Sequence, residues 1–94
     1  MAFIQIIEYK TSRIEECQAV VEKYRASGTS TAVRGTVGKD RDQADTYLSI
    51  VEFESWEAAQ ENSNRPETSQ MSQEMMALCD GPPVFRNLDV VYTD

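Results

Sequence analysis

Apolar residues recur along this chain with two periods, and the alternation between those periods predicts the order of its elements. Residues 2–9, AFIQIIEY, are β-branched and aromatic and predict a strand. One face of that strand carries Phe3, Gln5, Ile7 and Tyr9, and the other carries Ile4, Ile6 and Glu8. Thr11 and Ser12 follow, with Glu15 three residues after Ser12. That capping-box spacing predicts a helix from about Arg13. Its apolar positions Ile14, Cys17, Val20, Val21 and Tyr24 recur at three and four, and Gly28 ends it.

Residues 29–38, TSTAVRGTVG, predict a second strand, interrupted by Gly35 and Gly38. Glycine inside a strand marks a bulge or a close backbone approach. Residues 39–45, KDRDQAD, form a charged connection. Asp40, Asp42 and Asp45 lack the glycine and distal glutamate of a calcium loop, so a solvated hairpin is expected. Residues 46–53 give the clearest strand. Ser55 caps the next helix with Trp56 at its first position, and Ala58, Ala59 and Asn62 follow. Pro66 suits the first turn of a further helical segment, with Asn64 as its cap and Glu67 completing a second capping box. Met71, Met75 and Leu78 line one side of it. Gly81-Pro82-Pro83 breaks the chain, and residues 84–92, VFRNLDVVY, predict the last strand.

The order is β-α-β-β-α-β with the second helix split at residues 64–66. It predicts an α+β, ferredoxin-like fold, with helices on one face of an antiparallel sheet. FIQIIEY and YLSIVEF are apolar on both sides, which requires cover on both sheet faces. Helices supply one cover. A second copy of the sheet is an economical source of the other, so a homodimer packed face to face is expected. The length of 94 residues suits a single domain spanning 1–94. A chain this short buries only about 60–65% of its unfolded surface, which makes further burial by association useful.

A formal net charge of −7 argues against nucleic-acid and anionic-membrane partners, which need a basic footprint. No apolar stretch approaches the ~20 residues that cross a bilayer. No basic leader precedes a long apolar run, and a cytoplasmic location is the default expectation. Cys17 and Cys79 make neither a disulfide framework nor a metal-spaced set. Cys17 shares the apolar register of its helix and is expected to be a buried thiol. The chain has no histidine, which removes the commonest metal ligand and the commonest general base. No metal and no cofactor motif is present.

In YLSIVEFESWEAAQENSNRPET and DGPPVFRNLDVV the chain resembles the dimeric α+β barrel superfamily. Within it, the similarity is to the antibiotic biosynthesis monooxygenase-like family and its small actinobacterial relatives. The resemblance covers the whole chain in element order. It implies a homodimer and a small hydrophobic or aromatic ligand. It also implies cofactor-independent oxygenation or cyclisation of an aromatic, polyketide-like substrate. Oxygenases of the family commonly place an amide on the first strand, facing a pocket between sheet and helices, and Gln5 stands there. They also carry a tryptophan at the start of or within the helix after the third strand, and Trp56 stands at that helix start. In haem-degrading members that tryptophan comes later, about where Asn62 falls, and an iron-ligating histidine lies on the next segment. Ser72 falls near that position, so the resemblance does not extend to haem degradation.

The candidate catalytic residues are therefore Gln5, Trp56, Asn62 and Arg34, and the candidate ligand-binding residues are Tyr47, Met71, Met75 and Asn64. Each has a plain alternative. Gln5 could orient a ligand or bond a neighbouring side chain. Trp56 could wall a pocket or serve as packing or dimer interface. Met71 and Met75 suit an adaptable apolar site or a core stripe. Arg34 and Arg86 pair with Glu8, Glu52 or Asp89 across strands by default, or supply positive charge to an enolate or phenolate. Asn62, Asn64 and Arg65 could do no more than cap a helical segment. A non-catalytic, ligand-binding or stress-response dimer is the competing reading, because no histidine and no strong acid–base pair is evident.

Overall fold

The first strand settles at the centre of the sheet because it is apolar on both faces and long enough to pair on both edges. In the computed structural model, which describes residues 2–26, 28 and 30–94, β1 (Phe3–Lys10) is followed by α1 (Ile14–Arg25), β2 (Arg34–Lys39) and β3 (Thr46–Phe53). Then come α2 (Trp56–Ser63), α3 (Pro66–Leu78) and β4 (Val84–Asp89). The four-stranded sheet has the order β2-β3-β1-β4 and is antiparallel throughout. This is the α+β, ferredoxin-like architecture that the sequence predicts, with its second helix broken in two.

The register decides what shares a face. Phe3 lies opposite Phe53 and Asp89, Gln5 opposite Val51 and Asn87, and Tyr9 opposite Tyr47. Phe3 and Phe53 pack with Ala59 of α2, so this is the helix side. The Arg25 guanidinium of α1 lies 3.4 Å from where a Cβ of Gly35 would stand, so α1 reaches over β2 at that point. The opposite face presents Ile4, Ile6, Leu48, Ile50, Val84 and Leu88. None of these six is buried, and Val84 and Leu88 are exposed. On that face Arg34 pairs with Glu52 at 3.5 Å and Arg86 with Glu8 at 3.8 Å, as the cross-strand default expects.

Several boundaries differ from the sequence expectation, each for a local reason. Ser12 does not cap α1: its N-cap is Arg13, without a side-chain bond. The buried Thr11 hydroxyl instead accepts from the Arg13 N–H at 3.0 Å and donates to the Leu78 carbonyl at 2.6 Å. The second strand begins at Arg34, and residues 30–33 of the expected span are not strand, while its first residue, 29, lies outside the described residues. Upstream of it, Thr31 donates its hydroxyl to the Ala58 carbonyl at 2.7 Å and its N–H to the Asn62 side chain at 3.4 Å, binding that segment to α2. Asn64 does not cap α3. The residue before a proline is driven out of the α region, so Arg65 (φ −81, ψ 140) becomes the cap and Asn64 (φ −86, ψ −1) closes α2. The last strand ends at Asp89. Val91 and Tyr92 beyond it are 95% and 78% exposed.

Other expectations hold. Ser55 accepts from the Ala58 N–H at 3.1 Å as the α2 cap. Gly28 takes φ +70, the left-handed conformation expected after a helix. The charged connection is a hairpin loop over residues 40–45, with Lys39 the last residue of β2, and in it the Asp40 carboxylate accepts from the N–H groups of Asp42 (2.8 Å) and Gln43 (3.2 Å). Cys17 is buried and bonds Thr11 at 3.8 Å. Met71, Met75 and Leu78 are half-buried on α3, which packs on α1. That packing is tethered by Glu74, which accepts from Lys23 Nζ at 2.7 Å and from the Tyr24 hydroxyl.

Two stability outcomes are expected. Thr11→Val keeps the shape but strands the Leu78 carbonyl and the Arg13 N–H, and should cost about 1–3 kcal/mol in urea denaturation. The Glu74 carboxyl is held below the usual carboxylate range, first by Lys23 and then by Tyr24. Because its folded-state pKa is depressed, its contribution is present above the unfolded glutamate range and fades as pH falls through and below that range. The difference in urea midpoint between wild type and Glu74→Gln should therefore be visible at neutral pH and vanish in strong acid.

Candidate functional site

At one end of the helix-side face, aromatic carbon and side-chain amides meet. Phe3 is only 3% exposed and sits between Phe53 and Trp56. Its ring meets the Trp56 indole edge-to-face, with centroids 5.0 Å apart and planes at 60°. Trp56 occupies this place because Ser55 starts α2 immediately after β3, which fixes the first helical side chain over the end of the sheet. It remains 45% exposed. Phe3, Trp56, Asn87 and Asp89 line an open cleft of about 310 Å³. One pleat further along, the Gln5 amide donates to the Asn87 side-chain oxygen at 3.2 Å, directly across the β1–β4 pairing.

Of the sequence candidates, Gln5 and Trp56 are thus brought to the same region, bridged by Phe3 and Asn87. The others are placed elsewhere. Asn62 accepts from Thr31 and holds the segment leading into β2 against α2. Asn64 is exposed at the end of α2. Arg34 lies on the opposite face of the sheet, paired with Glu52, and so does not converge with Gln5. Met71 and Met75 are not among the residues lining the cleft. Tyr47 stacks on Tyr9 at 6.0 Å, about 20 Å along β1 from Phe3 at ~3.3 Å per residue.

A second cleft of about 320 Å³ opens at that far end, lined by residues that include Tyr9, Lys10, Asp80 and Pro82. Its chemistry is quiet. Burial pushes the phenol of its lining residue Tyr9 up, and burial beside the Cys17 thiol pushes up Cys79, which precedes the lining residue Asp80 in the chain. A phenol and a thiol so shifted stay protonated, so neither is an activated nucleophile. Among the described residues, no cluster of three or more histidine, cysteine, aspartate or glutamate side chains could hold a metal ion. Among the described residues, no helix is long and apolar enough to cross a membrane.

Phe3, Asn87 and Asp89 are the site residues that sequence reasoning did not single out. Asn87 and Asp89 sit two apart on β4 and therefore share a face. That spacing was readable. The register that sets them against Gln5 and Phe3 was not.

No protein-family model matches the chain, and no curated protein matches it in sequence. Solved structures do match in fold. A provisionally named antibiotic biosynthesis monooxygenase from Caulobacter crescentus superposes with a TM-score of 0.83 at 14% identity, covering 97% of this chain and 91% of that one. SnoaB, a cofactor-independent oxygenase from Streptomyces nogalater, gives 0.81 at 16% identity, covering 98% and 95%. A provisionally named antibiotic biosynthesis monooxygenase from Chloroflexus aurantiacus gives 0.75 at 12%, covering 100% and 97%. The chain thus shares the fold of antibiotic biosynthesis monooxygenase-like proteins along its whole length. At such identities the likeness is one of fold.

The contact between Phe3 and Trp56 can be checked directly, because Trp56 is the chain's sole tryptophan. Phe3→Leu should keep the fold, move Trp56 emission to longer wavelength and raise its quenching by acrylamide. Unchanged emission would mean that Phe3 does not shield the indole.

Proposed function

We propose that this chain is a small-molecule enzyme of the antibiotic biosynthesis monooxygenase-like type. It carries out cofactor-independent oxygenation or cyclisation of an aromatic, polyketide-like substrate. The observation that carries this reading is an open cleft in which an aromatic wall, Phe3 and Trp56, meets the Asn87 side-chain amide, with the Gln5 amide behind it hydrogen-bonded to Asn87. The fold shared with a cofactor-independent oxygenase supports it.

In the oxygenase form the substrate is its own reductant. An anthrone-like ring system loses two hydrogens from its central carbon. It gains one oxygen atom as a carbonyl, and the second atom of O2 leaves as water. Flat apolar surface on Trp56 and Phe3 would hold the ring system. The Gln5 and Asn87 amide N–H groups would stabilise negative charge on the substrate oxygen as its C–H proton is lost. Buried Cys17 and partly buried Cys79, both free thiols, suit a reducing compartment such as the cytoplasm.

The functional unit in this proposal is a homodimer packed through the outer sheet face. Support comes from Ile4, Ile6, Leu48, Ile50, Val84 and Leu88, which no helix covers. Sedimentation should give twice the chain mass, and Ile50→Lys, which places a charge at the centre of that face, should give monomers.

A second reading has its own observation: the Gln5 amide is already committed to Asn87 rather than pointing free. A protein that only binds an aromatic ligand would look the same. Aerobic incubation with anthrone, followed by anthraquinone absorbance, separates the two. The enzyme reading expects turnover above buffer and a loss of about 10²-fold in kcat for Gln5→Leu, the scale of one missing oxyanion donor. Binding without turnover across an anthrone and quinol panel would leave the ligand-binding reading.

A further inference from the structure

The Trp56 cleft has one charged wall, and among the described residues nothing neutralises it. Asp89 stands at the end of β4, opposite Phe3, and lines the cleft beside Trp56 and Asn87. Among the described residues its carboxylate makes no hydrogen bond and no ion pair. The arginines nearest in the sheet are engaged on the other face, Arg34 with Glu52 and Arg86 with Glu8. Among the described residues, no lysine or arginine lines the cleft. The Asn87 oxygen is occupied by Gln5. The polar edge of the cleft therefore carries one open anionic acceptor, Asp89, beside the neutral Asn87 N–H donors and aromatic carbon.

We infer that Asp89 sets the specificity of this cleft, selecting aromatic ligands that carry a hydrogen-bond donor, a hydroxyl or an ammonium, and rejecting aromatic carboxylates. The inference rests on the cleft being the ligand site proposed above and names the chemical class it takes. A donor can bond Asp89 while its ring lies on Trp56, and a charge-assisted bond of this kind is stronger than a neutral one. An ammonium adds attraction to the indole face. A ligand carboxylate meets Asp89 at short range with no cation between them, and the excess of negative charge over the whole chain works in the same direction. Asp89 is a specificity residue here. It acts on which molecules enter, whatever the chemistry that follows.

The test uses three probes of equal ring size: 2-naphthylmethylammonium, 2-naphthylmethanol and 2-naphthoate. Each is titrated at low salt into the 15N-labelled full chain while the single indole N–H resonance of Trp56 is followed. The ammonium and the alcohol should shift that resonance and bind at least about tenfold more tightly than the naphthoate, the scale expected of one partly screened charge. Asp89→Asn should collapse that difference to about twofold or less, by removal of the same charge. Asp42→Asn, which removes the same charge from the distant hairpin loop, should preserve it. Naphthoate binding as tightly as the alcohol, or discrimination that survives in Asp89→Asn, overturns the inference while leaving the cleft intact. If no probe moves the Trp56 resonance, the cleft is not an aromatic site, and both the proposed function and this selectivity fall together.

Discussion

The constraint on which everything else depends is that β1 and β3, the two central strands, are apolar on both faces while the chain has helices for only one. Ile4 and Ile6 alternate with Phe3, Gln5 and Ile7 along the same strand, so no twist or shift of register can bury both sets against α1–α3. A one-residue slip would exchange the faces and leave the same deficit. The chain commits the larger aromatics, Phe3, Tyr9, Tyr47 and Phe53, to the helix side, where all four are buried. It leaves aliphatic side chains on the other. Burial worth about 25 cal/mol per Å² remains available on that outer face, and for a domain this small such a reserve is large beside its total stability.

The same commitment shapes the helix side. The aromatics cluster at the two ends of the sheet, Phe3 with Phe53 and Trp56 at one, Tyr9 with Tyr47 at the other. Gln5 and Ile7 between them are half-buried. The ends differ in how they are closed. At the tyrosine end, Thr11 N–H bonds the Asp45 carbonyl at 2.9 Å and Asp80 N–H bonds the Lys10 carbonyl at 2.8 Å, so loops from both sides are tied down onto β1. At the phenylalanine end the cover is the first residue of an eight-residue helix, and the indole remains half in water. A ligand needs an opening whose walls are rigid. Among the described residues, only the second end combines an exposed aromatic with strand-borne amides.

How far the sequence carried this picture follows from the range of the interactions involved. Strand and helix order was legible because the periods of two and 3.6 are local. So was the Ser55 cap, whose partner lies three residues away. The misread ends were decided by competition that pattern alone does not resolve. Ser12 and Thr11 offer the same chemistry, and Thr11 wins because its hydroxyl also reaches Leu78, sixty-seven positions away. Asn64 has the better capping side chain, but Pro66 forbids Arg65 the helical conformation that would let Asn64 take the role. Asn87 and Asp89 were harder still. Their relevance comes from pairing with Gln5 and Phe3 at opposite ends of the chain. Arg34 shows the converse: its residue type suggested either a cross-strand partner or a charge for the pocket, and the strand's parity puts it on the face opposite the Phe3–Trp56 cleft, paired with Glu52.

The pairing of Gln5 with Asn87 bears on whether the cleft binds or reacts. A side-chain hydrogen bond at a half-exposed position has a net worth of about 0.5–1.5 kcal/mol. Exchanging it for a bond to a ligand oxygen is therefore near neutral, and the pair does not block the site. It also confines both amides to one side of the β1–β4 ladder before any ligand arrives, which lowers the ordering cost of later contacts. In a reaction that develops negative charge, a donor gains strength as the charge grows, whereas the Asn87 oxygen it leaves behind loses a bond of constant strength. The balance therefore tilts toward the ligand only as the charge develops. An amide held by a weak internal partner can thus favour a transition state over a ground state, a distinction that matters only if the cleft does chemistry.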